Sequence, residues 1–351
     1  MYEKKWGSNK LDKSTLAMRF KSFSEKECKG SSRLYEHLAS KVADDEYLLS
    51  LCSYVREGQP VPNMLFGAVH YLLLKGESHE LADYYPSLTD SPGEPRDAFP
   101  SFKNFCKIHQ EEIIPLMKHK LVQTNEVRRT GYLYPAFCFI YEKIKKPLAL
   151  IEIGTSAGLQ LFWDQYSYSY GSDQIYGNRS SEVHIDTEVR GNNFPFLLSE
   201  SPPVISRTGL DLHINDVTDP EDYLWLKALI WPEHVERRKL FECAANYVNT
   251  NSVSLIEGDG ITMLPETARD IPVDAAIVVF HTHVANQLSY QAKANLLRSI
   301  KDISGEREIF HLYNNIQDTD LHLDYFINSK EYKNKAGETD GHGRWFTWEL
   351  E

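Results

Sequence analysis

Three acidic residues and one turn of small residues carry the chemistry open to this sequence. Glu152 lies near the end of the apolar run Leu148-Ala149-Leu150-Ile151-Glu152-Ile153, and Gly154-Thr155-Ser156-Ala157-Gly158 follows at once. Asp211, in Gly209-Leu210-Asp211-Leu212, and Asp259, in Glu257-Gly258-Asp259-Gly260, stand after two later apolar runs. A carboxylate at a strand end in a crevice is costly unless solvated or partnered, which singles out Glu152. One chemistry that fits is binding of S-adenosylmethionine. An acid and small residues at the first strand–helix turn let the backbone approach the cofactor's methionine end. A second acid takes the ribose hydroxyls and a third meets the adenine. On this reading Glu152, Gly154, Thr155, Ser156, Ala157, Gly158, Asp211, Asp259 and Gly260 hold the cofactor.

Two other chemistries compete for the same turn. A dinucleotide fingerprint wants a glycine where Ser156 stands, beside the pyrophosphate, and a third glycine that does not follow in register. A serine hydrolase fits the letter of G-x-S-x-G, with Ser156 as nucleophile and Asp274 with His281, or Asp340 with His342, as nominal partners. Such an elbow normally follows several strands, whereas the chain before Ser156 reads as helical. The plain alternative is a compactly packed strand whose Ser156 caps the next helix. Taken singly, Asp211 and Asp259 are equally at home as turn or cap residues; their order after successive strands lifts them.

Phe280-His281-Thr282-His283 follows the most apolar strand candidate. An unperturbed imidazole titrates near neutrality, so His281 is the candidate catalytic residue, a general base. An extended backbone would aim His281 and His283 to one side, but no third ligand has suitable spacing, and no metal is predicted. In Gln123-Thr124-Asn125-Glu126-Val127-Arg128-Arg129, either Asn125 or Arg128 is placed to reach a cofactor carboxylate; the competing reading is a capped helix start with solvated charges.

The elements that must position these residues fall into two parts. Residues 1–122 carry helical stripes such as Leu34, Leu38 and Val42, with Ser31 or Ser32 and Asp44 or Asp45 as caps. Gly58-Gln59-Pro60-Val61-Pro62 breaks the pattern, and Pro86, Pro92, Gly93, Pro95 and Pro100 mark a loop. From 123 the pattern alternates. Thr124 or Asn125 can cap a helix running from Glu126 to Lys145 that leads to the strand 148–153, and a helix bearing Leu159, Phe162 and Trp163 follows the turn. Strand candidates at 203–207, 253–256, 274–280 and 308–313 are separated by helix candidates at 220–231, 233–249, 262–268 and 289–301. That alternation predicts a largely parallel α/β sheet. The period-two tail, Leu321–Ile327 and then Arg344–Leu350, predicts a closing antiparallel hairpin. Residues 165–200 read as an insertion with a ribbon around Val183–Val189.

A formal net charge of −12 over 351 residues disfavours general adhesion to nucleic acid or anionic membrane. No apolar run is long enough to span a bilayer, and the first twenty residues lack a signal peptide's apolar core. Five scattered cysteines without a C-x-x-C pair read as reduced thiols, which places the chain in the cytoplasm.

The blocks Gln123–Arg128, Glu152–Gly158 with Trp163-Asp164, Gly209–Leu212 with Asp219-Pro220-Glu221, Trp231-Pro232-Glu233, Val278–His281 and Gly343-Arg344-Trp345 together resemble a bacterial family catalogued as domain of unknown function 2332. The resemblance spans nearly the whole chain. It implies a cytoplasmic bacterial protein with a methyltransferase-like sheet domain and carries no established reaction. The expectation is therefore an α/β protein: a helical subdomain (1–122), acting as a lid, and a Rossmann-like methyltransferase-type domain (123–351) with an antiparallel C-terminal hairpin. Its expected function is S-adenosylmethionine-dependent methylation of a small molecule. The alternatives are a Ser156 hydrolase and a non-catalytic binding or scaffold protein.

Overall fold

A computed structural model describes residues 12–123 and 126–351. The chain divides into two compact units, Met1–Thr124 with Pro220–Arg238, and Asn125–Asp219 with Lys239–Glu351.

The first unit is helical. Val61–Lys75 is its central helix, buried on nearly every side from Val61 to Leu73, as an almost wholly apolar helix must be. Phe66 stacks on Tyr35 at 4.5 Å and meets Phe20 and Phe23. Ser32 and Asp45 cap the helices that follow them, accepting from the Tyr35 and Leu48 N–H groups. Gly76, at φ 106°, ends the central helix. Pro220–Ala228, expected between strands of the sheet, packs here instead: Trp225 is buried in this core, and its indole N–H donates to the Leu121 carbonyl at 2.8 Å.

The second unit is built on a mixed, mostly parallel seven-stranded sheet. Its strands are β1 (Leu148–Ile153), β2 (Val204–Asp211), β3 (Ser254–Glu257), β4 (Ala276–His281), β5 (Ile309–Tyr313), β6 (Leu321–Ile327) and β7 (Lys330–Gly337), in the order β7-β6-β5-β4-β1-β2-β3. The first five run parallel; β6 is antiparallel to β5 and to β7. β1 is buried along its whole length, as a central parallel strand covered on both faces must be. Ala149, Ile151 and Ile153 share one face with Ile277 and Val279, in a core with Leu264 of helix α1 (Gly260–Arg269) and Leu296 and Ile300 of helix α2 (Tyr290–Ser304). On the opposite face Phe137, from the helix Thr130–Ile144, stacks on Trp163 at 4.2 Å and meets Phe280 edge-on at 5.5 Å.

Three local expectations are corrected. After Gly158 the chain forms a 3-10 stretch, Leu159–Gln165, broken at Phe162, rather than an α-helix. The Arg207 guanidinium explains the local path: it donates to the Leu161 carbonyl and pairs with Asp164 at 2.6 Å, drawing the segment back over the sheet. The hairpin's second arm is Lys330–Gly337, not 344–350; Trp345–Thr347 pairs in parallel with Glu188–Arg190. The Thr124 or Asn125 cap expected for the helix before β1 lies outside the described residues. That helix itself begins at Thr130, after a 3-10 turn, Val127–Arg129, capped by Glu126. The five cysteines are free thiols. Among the described residues no helix is long and apolar enough to cross a membrane.

Candidate functional site

The turn after β1 is held by hydrogen bonds to the end of β2. Gly154, Ser156 and Gly158 all have positive φ (75°, 52° and 74°), so the chain reverses within five residues. The Gly154 N–H donates to the Leu210 carbonyl at 2.7 Å, and the Ser156 N–H donates to Asp211 Oδ2 at 2.7 Å. The other Asp211 oxygen accepts from the His213 N–H at 3.1 Å. Asn215 closes the corner: its side-chain amide donates to Ser156 Oγ at 2.9 Å and its N–H to the Ser156 carbonyl. Glu152, 3% exposed, accepts from Thr155 Oγ1 at 2.6 Å. Burial pushes its carboxyl up to about 8 against the Thr155 bond; the Asp211 charge adds to the rise and Arg129 opposes it. Glu152 is therefore mostly protonated at neutral pH.

The small residues have local reasons. A Cβ on Gly154 would lie 2.3 Å from Val284 Cγ2, one on Gly158 3.0 Å from Leu255 Cδ2, and one on Gly260 3.1 Å from Leu210 Cβ. Ala157 is fully buried. Asp259 caps α1, accepting from the Ile261 N–H at 3.0 Å and Thr262 Oγ1 at 3.1 Å. The structure thus gathers Glu152, Gly154, Thr155, Ser156, Ala157, Gly158 and Asp211 into one bonded corner, with Gly260 packed against it and Asp259 beside it at the surface.

His281 is not brought to that corner. Glu152 pairs in register with Phe280, so the next residue points to the opposite face. There His281 is 1% exposed, with Nε2 at 3.2 Å from His311 Nε2. Burial pulls its imidazole down to about 3, helped by the Lys293 charge. An imidazole so placed is a poor general base at neutral pH, and the role expected of it fails on geometry. His283 does not share its side either: its φ of 58° breaks the extended backbone that would align the two. Arg128 lies in the 3-10 turn, where its N–H donates to Glu126 Oε1 at 3.2 Å. Asn125 lies outside the described residues.

Beyond the carboxyl end of β4 lie residues that sequence reasoning passed over. Arg129, 7% exposed, donates from Nε to the Gly341 carbonyl at 2.9 Å and from Nη1 to Thr282 Oγ1 at 3.3 Å. Thr282 also exchanges hydrogen bonds with the Gln160 amide at 3.2 Å, and Gln160 reaches the Glu126 carbonyl. Beside them His283 donates its N–H to Asn314 Oδ1 at 2.7 Å, and its ring lies near the Asn314 and Asn315 amides. Burial, with the Arg129 and His342 charges, pulls the His283 imidazole down to about 4, so it is neutral at physiological pH. No sequence signal separates Arg129 from Arg128. Thr282 had one: it falls on the other alternation from the two histidines that drew attention.

The chain belongs to the family described as "Uncharacterized protein conserved in bacteria (DUF2332)", which matches residues 17–348. No curated protein and no solved structure matches it.

Proposed function

We propose that this chain is an S-adenosylmethionine-dependent methyltransferase of Rossmann-like build, or a relative that has kept cofactor binding, acting on a small molecule. The observation that carries the reading is the hydrogen bond from the Ser156 N–H to the Asp211 carboxylate, which ties the acid after the second strand to the small-residue turn after the first. The strand order supports it. The run β3-β2-β1-β4-β5 matches the Rossmann order, in which ligands lie beyond the carboxyl ends where the order reverses, here between β1 and β4. In this chain antiparallel β6 takes the place of a sixth parallel strand.

The donor set fits the nucleoside end of the cofactor. Asp211, half-buried at the end of β2 and bonded to the turn through the Ser156 N–H, is the acid offered to the ribose hydroxyls. The space over Gly154 is taken by Val284, which gives that glycine a packing reason of its own. When bound, S-adenosylmethionine supplies an electrophilic methyl group. The protein's share is alignment and exclusion of water, which needs few catalytic side chains.

Isothermal titration with S-adenosylhomocysteine tests the reading. The expected result is binding to the wild type, weakened about tenfold or more by Asp211→Asn, since a hydrogen bond to a charged group contributes about 1.5–3 kcal/mol. No heat with folded wild-type protein at millimolar ligand sinks it. The hydrolase reading keeps one supporting observation, the left-handed backbone of Ser156. Against it, Ser156 is 4% exposed and its hydroxyl accepts from the Asn215 amide. A folded protein left unlabelled by a fluorophosphonate probe removes it.

A further inference from the structure

Arg129 carries a buried guanidinium in the second unit. It is 7% exposed, and a guanidinium stays charged throughout the pH range in which proteins fold. Burying such a charge without a counter-ion is expensive. The two acceptors that Arg129 has are neutral oxygens, the Gly341 carbonyl and the Thr282 hydroxyl, and they engage only Nε and Nη1. No carboxylate of the described residues forms an ion pair with it. Of the acids in its neighbourhood, Glu152 is pushed toward its protonated form by burial, Asp340 is paired with Arg344, and Glu126 lies against His342. The fold also holds this cation in place firmly. The Gly341–Gly343 turn presses on the Arg128–Arg129 backbone so closely that a Cβ on Gly343 would lie 2.5 Å from the Arg128 carbonyl oxygen. Thr282 is fixed from the far side by Gln160.

We infer that Arg129 is the anchor for an anionic group, a carboxylate or a phosphate, on a ligand that binds beyond the carboxyl ends of β1 and β4. The planar fork of a guanidinium suits either anion, by two parallel hydrogen bonds. The inference deepens the reading above, on which it rests for the ligand's place and not for its charge. It assigns to Arg129 a role that the sequence suggested for its neighbour Arg128.

The test uses the full-length wild type, Arg129→Met and Arg129→Lys. Thermal unfolding is followed in sodium acetate, malonate and inorganic phosphate, against sodium chloride at equal ionic strength. A bound anion stabilises by mass action, so the wild-type Tm should climb with the logarithm of anion concentration. The Arg129→Met curve should stay flat, and Arg129→Lys should fall between. Whether the carboxylates or phosphate give the rise tells which anion the site takes. In plain chloride Arg129→Met should melt higher than the wild type, by about 2–4 °C. Parallel curves for wild type and Arg129→Met overturn the inference, as does an Arg129→Met that melts lower and responds to anions as the wild type does. An S-adenosylhomocysteine titration of the same proteins separates the two readings. Anion binding through Arg129 without nucleoside binding leaves the anchor and removes the cofactor. Nucleoside binding undiminished in Arg129→Met, with anion curves parallel to those of the wild type, leaves the cofactor and removes the anchor.

Discussion

Replacing Glu152 by glutamine should stabilise the protein, and by an amount that depends on pH in one particular sense. The carboxyl is 3% exposed and titrates near 8 in the fold, against an ordinary value of 4.5 in the unfolded chain. Between those values the folded state holds a proton that the unfolded state has released, so stability falls as pH rises. At 1.36 kcal/mol per pH unit the burden reaches about 3 kcal/mol at pH 7 and levels off at about 5 kcal/mol above pH 8. Glutamine removes the titration and keeps an oxygen to accept from Thr155 Oγ1, now 2.6 Å away. Urea denaturation of wild type and Glu152→Gln from about pH 5 to 9 should give curves that meet near the acid end and diverge with pH. Hydrogen exchange in the β1 segment identifies the transition that belongs to the sheet. A stability difference that stays constant across this range, or one that shrinks with rising pH, refutes the account of Glu152 as a buried, protonated acid.

Gly154→Ala should cost about 2–4 kcal/mol, because its Cβ would stand 2.3 Å from Val284 Cγ2 and its backbone has φ 75°. Adding Val284→Ala should return the clash but not the roughly 1–2 kcal/mol of left-handed strain, a non-additivity that a double-mutant cycle in urea reads directly. The His281–His311 pair should act on stability in the opposite sense to Glu152. Burial lowers both imidazoles, so the unfolded chain binds protons that the fold refuses, and stability falls as pH drops below about 6.5. His311→Phe should flatten that acid limb in a pH series of melting curves; an unchanged limb would place the acid sensitivity elsewhere.

What the sequence revealed followed from what a single segment can encode. β1 was legible because a strand covered on both faces is apolar along its length, and the turn after it because three positive-φ positions in five residues favour small side chains. β7 was not legible: Lys330-Glu331-Tyr332-Lys333-Asn334-Lys335 carries the charges that protect an edge strand, and so reads as loop. Arg129 was missed for a related reason. One step along a 3-10 turn rotates a side chain by about 120°, and only the observed start of the next helix decides which of two adjacent arginines faces inward. His281 shows how far this goes. Its distance from Glu152 depends on whether the acid pairs with Phe280 or with the next residue, a relation between strands far apart in the chain. A slip of one position would have set an imidazole beside the acid. The observed register instead puts Glu152 and His281 on opposite faces, so that two buried titrating systems share one sheet without meeting. That separation predicts that the effects of Glu152→Gln and His311→Phe add at every pH, in the range where their windows overlap as well as outside it. A coupling between the two substitutions that varies with pH would mean that the acid and the imidazole face one another after all.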